Sequence, residues 1–456
     1  MKNITPPEYV ARILRRLTEN GHAAFLVGGC VRDAIMGRPV HDWDIATSAK
    51  PTDISRLFET TVLTGERFGT VTVLTGGDTV EVTTFRSDGE YRDGRRPESV
   101  EFVANLEEDL SRRDFTMNAI AVSGKPGFVD PHGGVEDIKN RVIRCVGDPC
   151  TRFSEDALRM FRAFRFSAEL GFAIEPATMR AIGENAGMSK LISAERVCVE
   201  LEKTLMSQRP EIAGEMIKAG LLDRYLAASG NNPDDSDSLD NPDDPDNSDS
   251  LDWIASLPNE KALRWCAFCA ALLDSGLLTS ATEFLHEMRL DRKTARACAL
   301  ALAVPELPGD RIGVKQLLAK HGEDAVRCAA AVSQARKASK AREASQASKA
   351  SQASEASQAS KTNEASKARS RPQPSCPPAH LALVDEIIAS GECYSLGKLA
   401  ITGSDLIALG HPPGHEIGEM LDMLLGHVIN CPEDNSREAL LKLLRSPKKE
   451  TGAKPR

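Results

Sequence analysis

Apolar and polar positions change their spacing along the chain in a way that separates a mixed N-terminal part from a helical remainder. Tyr9 to Leu17 is an amphipathic run at helical spacing, ended by Gly21. Thr5-Pro6-Pro7-Glu8 before it reads as a capping box, with Thr5 at N-cap, Pro6 at N1 and Glu8 at N3. Ala24 to Val27 is a short apolar run, followed by Gly28-Gly29 and a helix start at Arg32-Asp33. A short helix is expected from Thr52 to Phe58. Residues 62–86 alternate apolar and polar side chains through two or three strands, with a turn at Gly76-Gly77. Residues 86–100 are charged and turn-rich, a loop, and Val100 to Val103 returns to strand. SRRDFTMNAIAV (111–122) reads as helix then strand, and Asp130 to Gly134 as a turn.

From Phe153 to about Val332 strand signals fade and helical periods dominate. One helix is expected from Ser154 to Leu170, a second from near Ser193, a third over 211–222. Two low-complexity pieces interrupt this part. Residues 230–252 are rich in Asp, Pro and Ser, a composition that cannot bury a core. Residues 333–371 repeat Ala-Ser-Lys/Gln/Glu without an apolar stripe and read as a linker, disordered or transiently helical. The expected fold class is therefore α+β. A mixed-sheet head over 1–145 precedes a helical neck (146–209), a helical body (210–332), a linker (333–376) and a helical tail (377–456).

Charge changes this picture only when it is located. The net charge of −9 argues against a nucleic-acid partner at first sight, but residues 230–252 hold nine Asp and no Lys or Arg. Without them, acidic and basic residues balance at 57 each, so local distribution decides. No apolar run approaches membrane-spanning length. The N-terminus lacks a signal-like apolar stretch, and the eleven cysteines follow no framework spacing. A cytoplasmic protein without a membrane partner is expected.

The chemistry-bearing residues begin with Asp42 and Asp44. On an extended segment, carboxylates at i and i+2 point the same way, and their repulsion is relieved by a cation that prefers hard oxygen ligands, such as Mg²⁺. The glycine turn before them offers backbone N–H groups to a phosphate. Together they suggest nucleotidyl transfer; the alternative is an acidic strand face. Glu81, on a strand expected beside them, is either a third carboxylate or an ordinary strand-face residue. On the helix expected from Ser154, Asp156 and Arg159 share a face that Arg162 and Arg165 extend. Such a pair can read a base edge; the alternative is a surface ion pair with arginines toward RNA phosphates. His41-Asp42 lacks the partners of a phosphohydrolase site, Cys266 and Cys269 read as core cysteines, and His411 and His415 flank a Pro-Pro-Gly loop.

LVGGCVRD with HDWDIAT, VEVTTFR, YRDGRRPESVEF, RRDFTMNA, EDALRMFR and SAERVCVELEK, in that order, resemble the class II CCA-adding enzymes (tRNA nucleotidyltransferases). The resemblance runs over residues 6 to about 222. It resumes at ITGSDLIALGHPPGHEIGEMLDMLLGHVI, which is similar to the tail of bacillus-type members. It implies a nucleotidyltransferase-type head and template-independent addition of C, C and A to tRNA from CTP and ATP, with pyrophosphate release. A homodimer is compatible with it.

By the same resemblance Asp42 and Asp44 would bind two Mg²⁺, and Gly29 and Arg32 would hold the triphosphate. Arg113 would contact the nucleotide near sugar and phosphates. Asp156 and Arg159 would bond the Watson–Crick edge, supported by Arg162 and Arg165, and the 86–100 loop would permit the switch from C to A. The tail would bind tRNA. A poly(A) polymerase or A-adding enzyme of the same fold, and a non-catalytic RNA-binding protein on this scaffold, are the rival readings. The acidic insert and the Ala-Ser repeat have no counterpart in the family pattern.

Overall fold

The computed structural model describes residues 4–88, 100–123, 127–227, 251–357 and 379–445. They form two compact units, one of residues 1–246 with 283–290, the other of 247–282 with 291–456.

The first unit holds a seven-stranded sheet built from β1 (Ala24–Val27), β2 (Asp44–Thr47), β3 (Thr61–Gly65), β4 (Thr70–Thr75), β5 (Asp78–Thr84), β8 (Ala121–Val122) and β9 (Phe128–Val129). Their spatial order is β3-β4-β5-β2-β1-β8-β9. The alternation read over 62–86 is realised in β4 and β5, where Val71, Val73, Val80 and Val82 are buried. Between β5 and β8 in the chain, β6 (Arg86–Asp88) and β7 (Val100–Phe102) form a separate antiparallel ribbon. The ends of the expected 86–100 loop are therefore paired, while 89–99 lie outside the described residues.

One junction in the sheet positions the chemistry. β2 and β5 run parallel and place Asp44 directly beside Glu81. β1 and β2 pair antiparallel, Leu26 against Ile45, so the turn after Val27 and the Asp42–Asp44 segment meet at one end of the sheet. Val27, Ala46, Phe85, Leu106, Leu110, Ala119 and Ala121 pack beneath it.

The N-terminal helix spans Glu8–Glu19 and opens on Pro7, without a side-chain cap. The expected capping box is absent for a steric reason. Pro7 disfavours helical geometry at Pro6, so the helix cannot start there, and the Pro7 carbonyl takes the first N–H groups, from Val10 and Ala11.

The neck differs from expectation where it matters most. Instead of one helix from Ser154 to Leu170 there are two, Pro149–Glu155 and Leu158–Leu170. Asp148 caps the first by accepting the Thr151 N–H at 2.7 Å, with Pro149 at N1. Asp156 is extended (φ −143°, ψ 101°) between them, and its Oδ1 accepts the Leu158 N–H at 3.1 Å. Aspartate prefers such a boundary because its carboxylate binds a nearby backbone N–H in place of a helical bond. The helices Ala194–Leu205 and Ile212–Lys218 start within a residue of the expected positions.

The second unit is helical, with one apolar cluster around Val314, Leu318, Val326, Val384 and Tyr394 and another around Ile401, Leu406, Leu424, Val428 and Leu440. Cys266 and Cys269 are buried in the Lys261–Asp274 helix, and His411 precedes the His415–Asn430 helix. Two expected boundaries shift. Leu251 and Asp252 open a 3-10 turn, Leu251–Ser256, with Leu251 buried, while 230–250 lie outside the described residues. Residues 333–357 continue the Glu323–Ser357 helix, so the boundary at 333 falls inside one element. Val332 is buried, Arg336 pairs with Asp274, and Lys337 with Glu306 at 3.3 Å. Among the described residues no helix is long and apolar enough to cross a membrane.

Candidate active site

Gly28 ends β1 at φ 77°, a left-handed conformation that a side chain rarely adopts. A Cβ there would stand 3.2 Å from Arg113 Nη1 and 3.6 Å from Asp44 Oδ2. Gly28 thus lets the backbone approach a carboxylate and a guanidinium at once. Gly29 opens the short Gly29–Ile35 helix beside Arg32 Nη2.

Asp44 is partly buried and faces Glu81 across β2 and β5, with Asp42 two residues before it and exposed. Burial first, then Glu81 and Asp42, push its carboxyl up to about 6, with Arg113 pulling the other way. Glu81 and Asp42 thus add negative charge around Asp44, partly countered by the Arg113 guanidinium. This donor set of hard oxygens with excess negative charge fits a divalent cation.

Arg113 is fixed by Asp109, which is fully buried and accepts Arg113 Nη2 at 3.1 Å and Arg112 Nη2 at 2.8 Å. Burial disfavours the Asp109 charge, but Arg113 and Arg112 outweigh it and hold the carboxyl below its ordinary range. Arg113 Nε is buried without a hydrogen-bond partner in the protein. A donor left in this state costs free energy, whereas Nη1 of the same guanidinium is the atom that faces the Gly28 turn.

A second network lies on the neck side. Arg32 donates from Nε and Nη2 to Asp33, each at 3.0 Å, and from Nη1 to Asn118 Oδ1 at 2.8 Å. Asn118 Nδ2 donates to Asp114 Oδ1 at 3.2 Å, and Asp114 Oδ2 accepts Arg162 Nε at 2.8 Å and Nη2 at 2.6 Å. Burial opposes the Asp114 charge, yet Arg162 and Asn118 hold its carboxyl far below the usual range. Arg165 pairs with Glu200 at 2.6 Å and with Glu169 at 3.1 Å. The Phe166 ring gathers three guanidinium groups, at 5.1 Å (Arg32), 5.3 Å (Arg162) and 4.0 Å (Arg165) from its centroid.

Asp156 and Arg159 do not pair on one helix face, because the backbone break at Asp156 separates them. Asp156 Oδ2 instead accepts Arg196 Nη2 at 2.8 Å. Arg159 Nη1 donates to Glu155 at 2.6 Å and to the Arg152 carbonyl at 3.1 Å, and Nη2 to the Arg112 carbonyl at 2.9 Å. Nor do the arginines form a surface row, since Arg159 and Arg165 are each only 8 % exposed. The structure thus brings together Gly28, Asp44, Glu81 and Arg113 in one group and Arg32, Arg162, Arg165 and Phe166 in another. Asp109, Asp114, Asn118, Glu155 and Phe166, which hold these arginines, and Arg196, which holds Asp156, were not singled out from the sequence. The Asp114–Asn118 spacing inside RRDFTMN was the available signal.

Comparison with known proteins bears on the family and the fold. The family model described as the poly A polymerase head domain matches residues 24–144. The model described as a probable RNA and SrmB-binding site of polymerase A matches 171–226. The CCA-adding enzyme of Geobacillus stearothermophilus is 35 % identical over 430 residues, 94 % of each chain. That of Limosilactobacillus fermentum is 36 % identical over 434 residues, again 94 % of each. The crystal structure of the Bacillus stearothermophilus CCA-adding enzyme in complex with CTP gives a TM-score of 0.73 at 31 % identity, covering 97 % of this chain and 98 % of that one. With a mixed-sheet head, a carboxylate site at the β2–β5 junction and a near full-length likeness at this level, the chain belongs to the CCA-adding enzymes.

Proposed function

We propose that this protein adds C, C and A to the 3′ end of tRNA from CTP and ATP, without a nucleic-acid template and with release of pyrophosphate. The observation that carries the reading is the β2–β5 junction, where Asp44 and Glu81 are register partners beside Asp42, Gly28 and Arg113. Membership of this nucleotidyltransferase family implies a divalent cation, and we assign it as Mg²⁺ held by Asp42 and Asp44, with Glu81 as the third carboxylate. Bound there, it supplies activation of the acceptor hydroxyl and charge stabilisation on the departing pyrophosphate.

The remaining work is positioning. Gly29 admits the triphosphate close to the backbone, Arg32 neutralises it, and Arg113, whose Nη1 faces the Gly28 turn, adds a donor near sugar and phosphates. Asp156 offers acceptors and Arg159 donors to the Watson–Crick edge, Asp156 steadied by Arg196 and Arg159 by Glu155. Arg162 and Arg165, locked by Asp114, Glu200 and Glu169, keep that pocket in shape. Acceptor tRNA is recognised largely by shape and backbone along the helical neck, body and tail. The ten cysteines among the described residues are free thiols, which suits a reducing compartment, the cytoplasm.

Extension of a tRNA lacking its 3′ end, with each nucleotide supplied singly and together, tests the proposal. C incorporation from CTP and one terminal A after ATP is the expected pattern. Long A tails from ATP alone, with no C incorporated, would establish the poly(A) polymerase reading instead.

A further inference from the structure

The tail carries a group of side chains that nucleotidyl transfer does not use. The His415–Asn430 helix ends on Cys431, whose N–H donates to the His427 carbonyl at 2.9 Å. The chain then makes the 3-10 turn Pro432–Asp434, with the Asp434 N–H donating to the Cys431 carbonyl at 3.1 Å. This turn returns the Asp434 carboxylate to the helix end, where Oδ2 lies 2.7 Å from His427 Nε2. The imidazole nitrogen, the Cys431 sulfur and the carboxylate oxygen all lie within 4.8 Å of one another, alone in this respect among the described residues. All three side chains are partly exposed, His427 by 33 % and Asp434 by 41 %, and Cys431 is a free thiol.

We propose that His427, Cys431 and Asp434 form a binding site for a divalent transition-metal ion of the Zn²⁺ class at the end of this helix. The donor set selects the ion: imidazole and thiolate suit Zn²⁺ and Co²⁺, whereas Mg²⁺ and Ca²⁺ take oxygen ligands. The spacing fits as well. Tetrahedral bonds of about 2.0–2.3 Å set neighbouring ligand atoms roughly 3.3–3.7 Å apart. The three donors reach that arrangement by side-chain adjustments of about an ångström, with the His427–Asp434 contact opening as the ion enters.

The frame is already built. Leu424, Val428 and Ile429 are buried on the helix, and Asn435, next after Asp434, donates to the Lys398 carbonyl at 3.0 Å and accepts the Ala400 N–H at 2.9 Å. The carbonyl end of the helix adds partial negative charge. Binding replaces the Cys431 S–H bond by a metal–sulfur bond and releases the proton to solvent; a fourth position stays open to water.

The competing account is a His–Asp ion pair at a helix end with a bystander thiol. Titration of the reduced full-length protein with Co²⁺ in excess Mg²⁺, which occupies the head carboxylates, separates the two. One Co²⁺ per chain with a thiolate-to-cobalt charge-transfer band, removed by Zn²⁺, is the expected result. The band is lost in Cys431→Ser and in His427→Gln, either of which suffices if the other fails to fold, and is kept in Cys150→Ser, a partly exposed thiol of the first unit. Absence of the band in the wild type, or its survival in Cys431→Ser or His427→Gln, overturns the proposal.

Discussion

At Asp44 the fold places a carboxylate where burial, Glu81 and Asp42 all favour the protonated form, with its pKa near 6 against an ordinary value of 3.8. The folded state therefore binds more protons than the unfolded chain between those values. This group's contribution to stability falls as pH rises through the window and is fully adverse above about 6. Asp44→Asn should stabilise the metal-free protein at neutral pH by on the order of 1–3 kcal/mol, read as a higher melting temperature, while abolishing incorporation. Paired calorimetry and extension assays read both. A divalent ion needs the ionised carboxylate, so its affinity should fall as pH drops through about 6, checked by titration calorimetry across that range. The residues that carry charge were legible from spacing and resemblance, because Asp42, Asp44 and Arg113 stand inside short motifs. Their holders were not, since Asp114 meets Arg162 and Asp156 meets Arg196 only through folding, 48 and 40 residues apart.

Elements decide what those residues can reach. The break at Asp156 converts an expected helix-face pair into two separately anchored groups, Asp156 on Arg196 and Arg159 on Glu155. Asp156→Ala should therefore relax nucleotide choice while tRNA affinity stays close to wild type, as read by competition between CTP and ATP beside a binding assay. An equal loss of both would assign Asp156 to tRNA contact. In the Leu158–Leu170 helix, Arg162 is matched to buried Asp114, and removing the acid leaves a cation without its counter-charge. Asp114→Ala should cost about 3 kcal/mol, measured by denaturant unfolding. Periodicity indicated the β4 and β5 strands of the head and the helix starting near Ser193, but not the Pro176–Asn185 helix of the neck. It missed the break because Asp156 sits at a spacing that suits a continuing helix equally well, and only its carboxylate bond to the Leu158 N–H distinguishes the two.

For the molecule as a whole, the low-complexity stretch is not uniform. Its first residues belong to the Glu323–Ser357 helix and are tied down by Arg336–Asp274 and Lys337–Glu306. Replacing 346–371 with a Gly-Ser linker of equal length should leave melting temperature and incorporation nearly unchanged. Starting the replacement at 333 should lower the melting temperature of the second unit, as thermal scans would show. Composition revealed the repeat but not this anchoring, which depends on partners at Asp274 and Glu306.

The β2–β5 junction is the one parallel pairing in the seven-stranded sheet among the described residues. Joining Asp44 to Glu81 requires the chain first to pass through the Pro51–Leu57 helix, β3 and β4. Such non-local closure is slow compared with forming the β4–β5 hairpin. A chain in which this pairing has not formed thus holds its carboxylates apart, so capacity for chemistry depends on one long-range contact rather than growing in proportion to secondary structure.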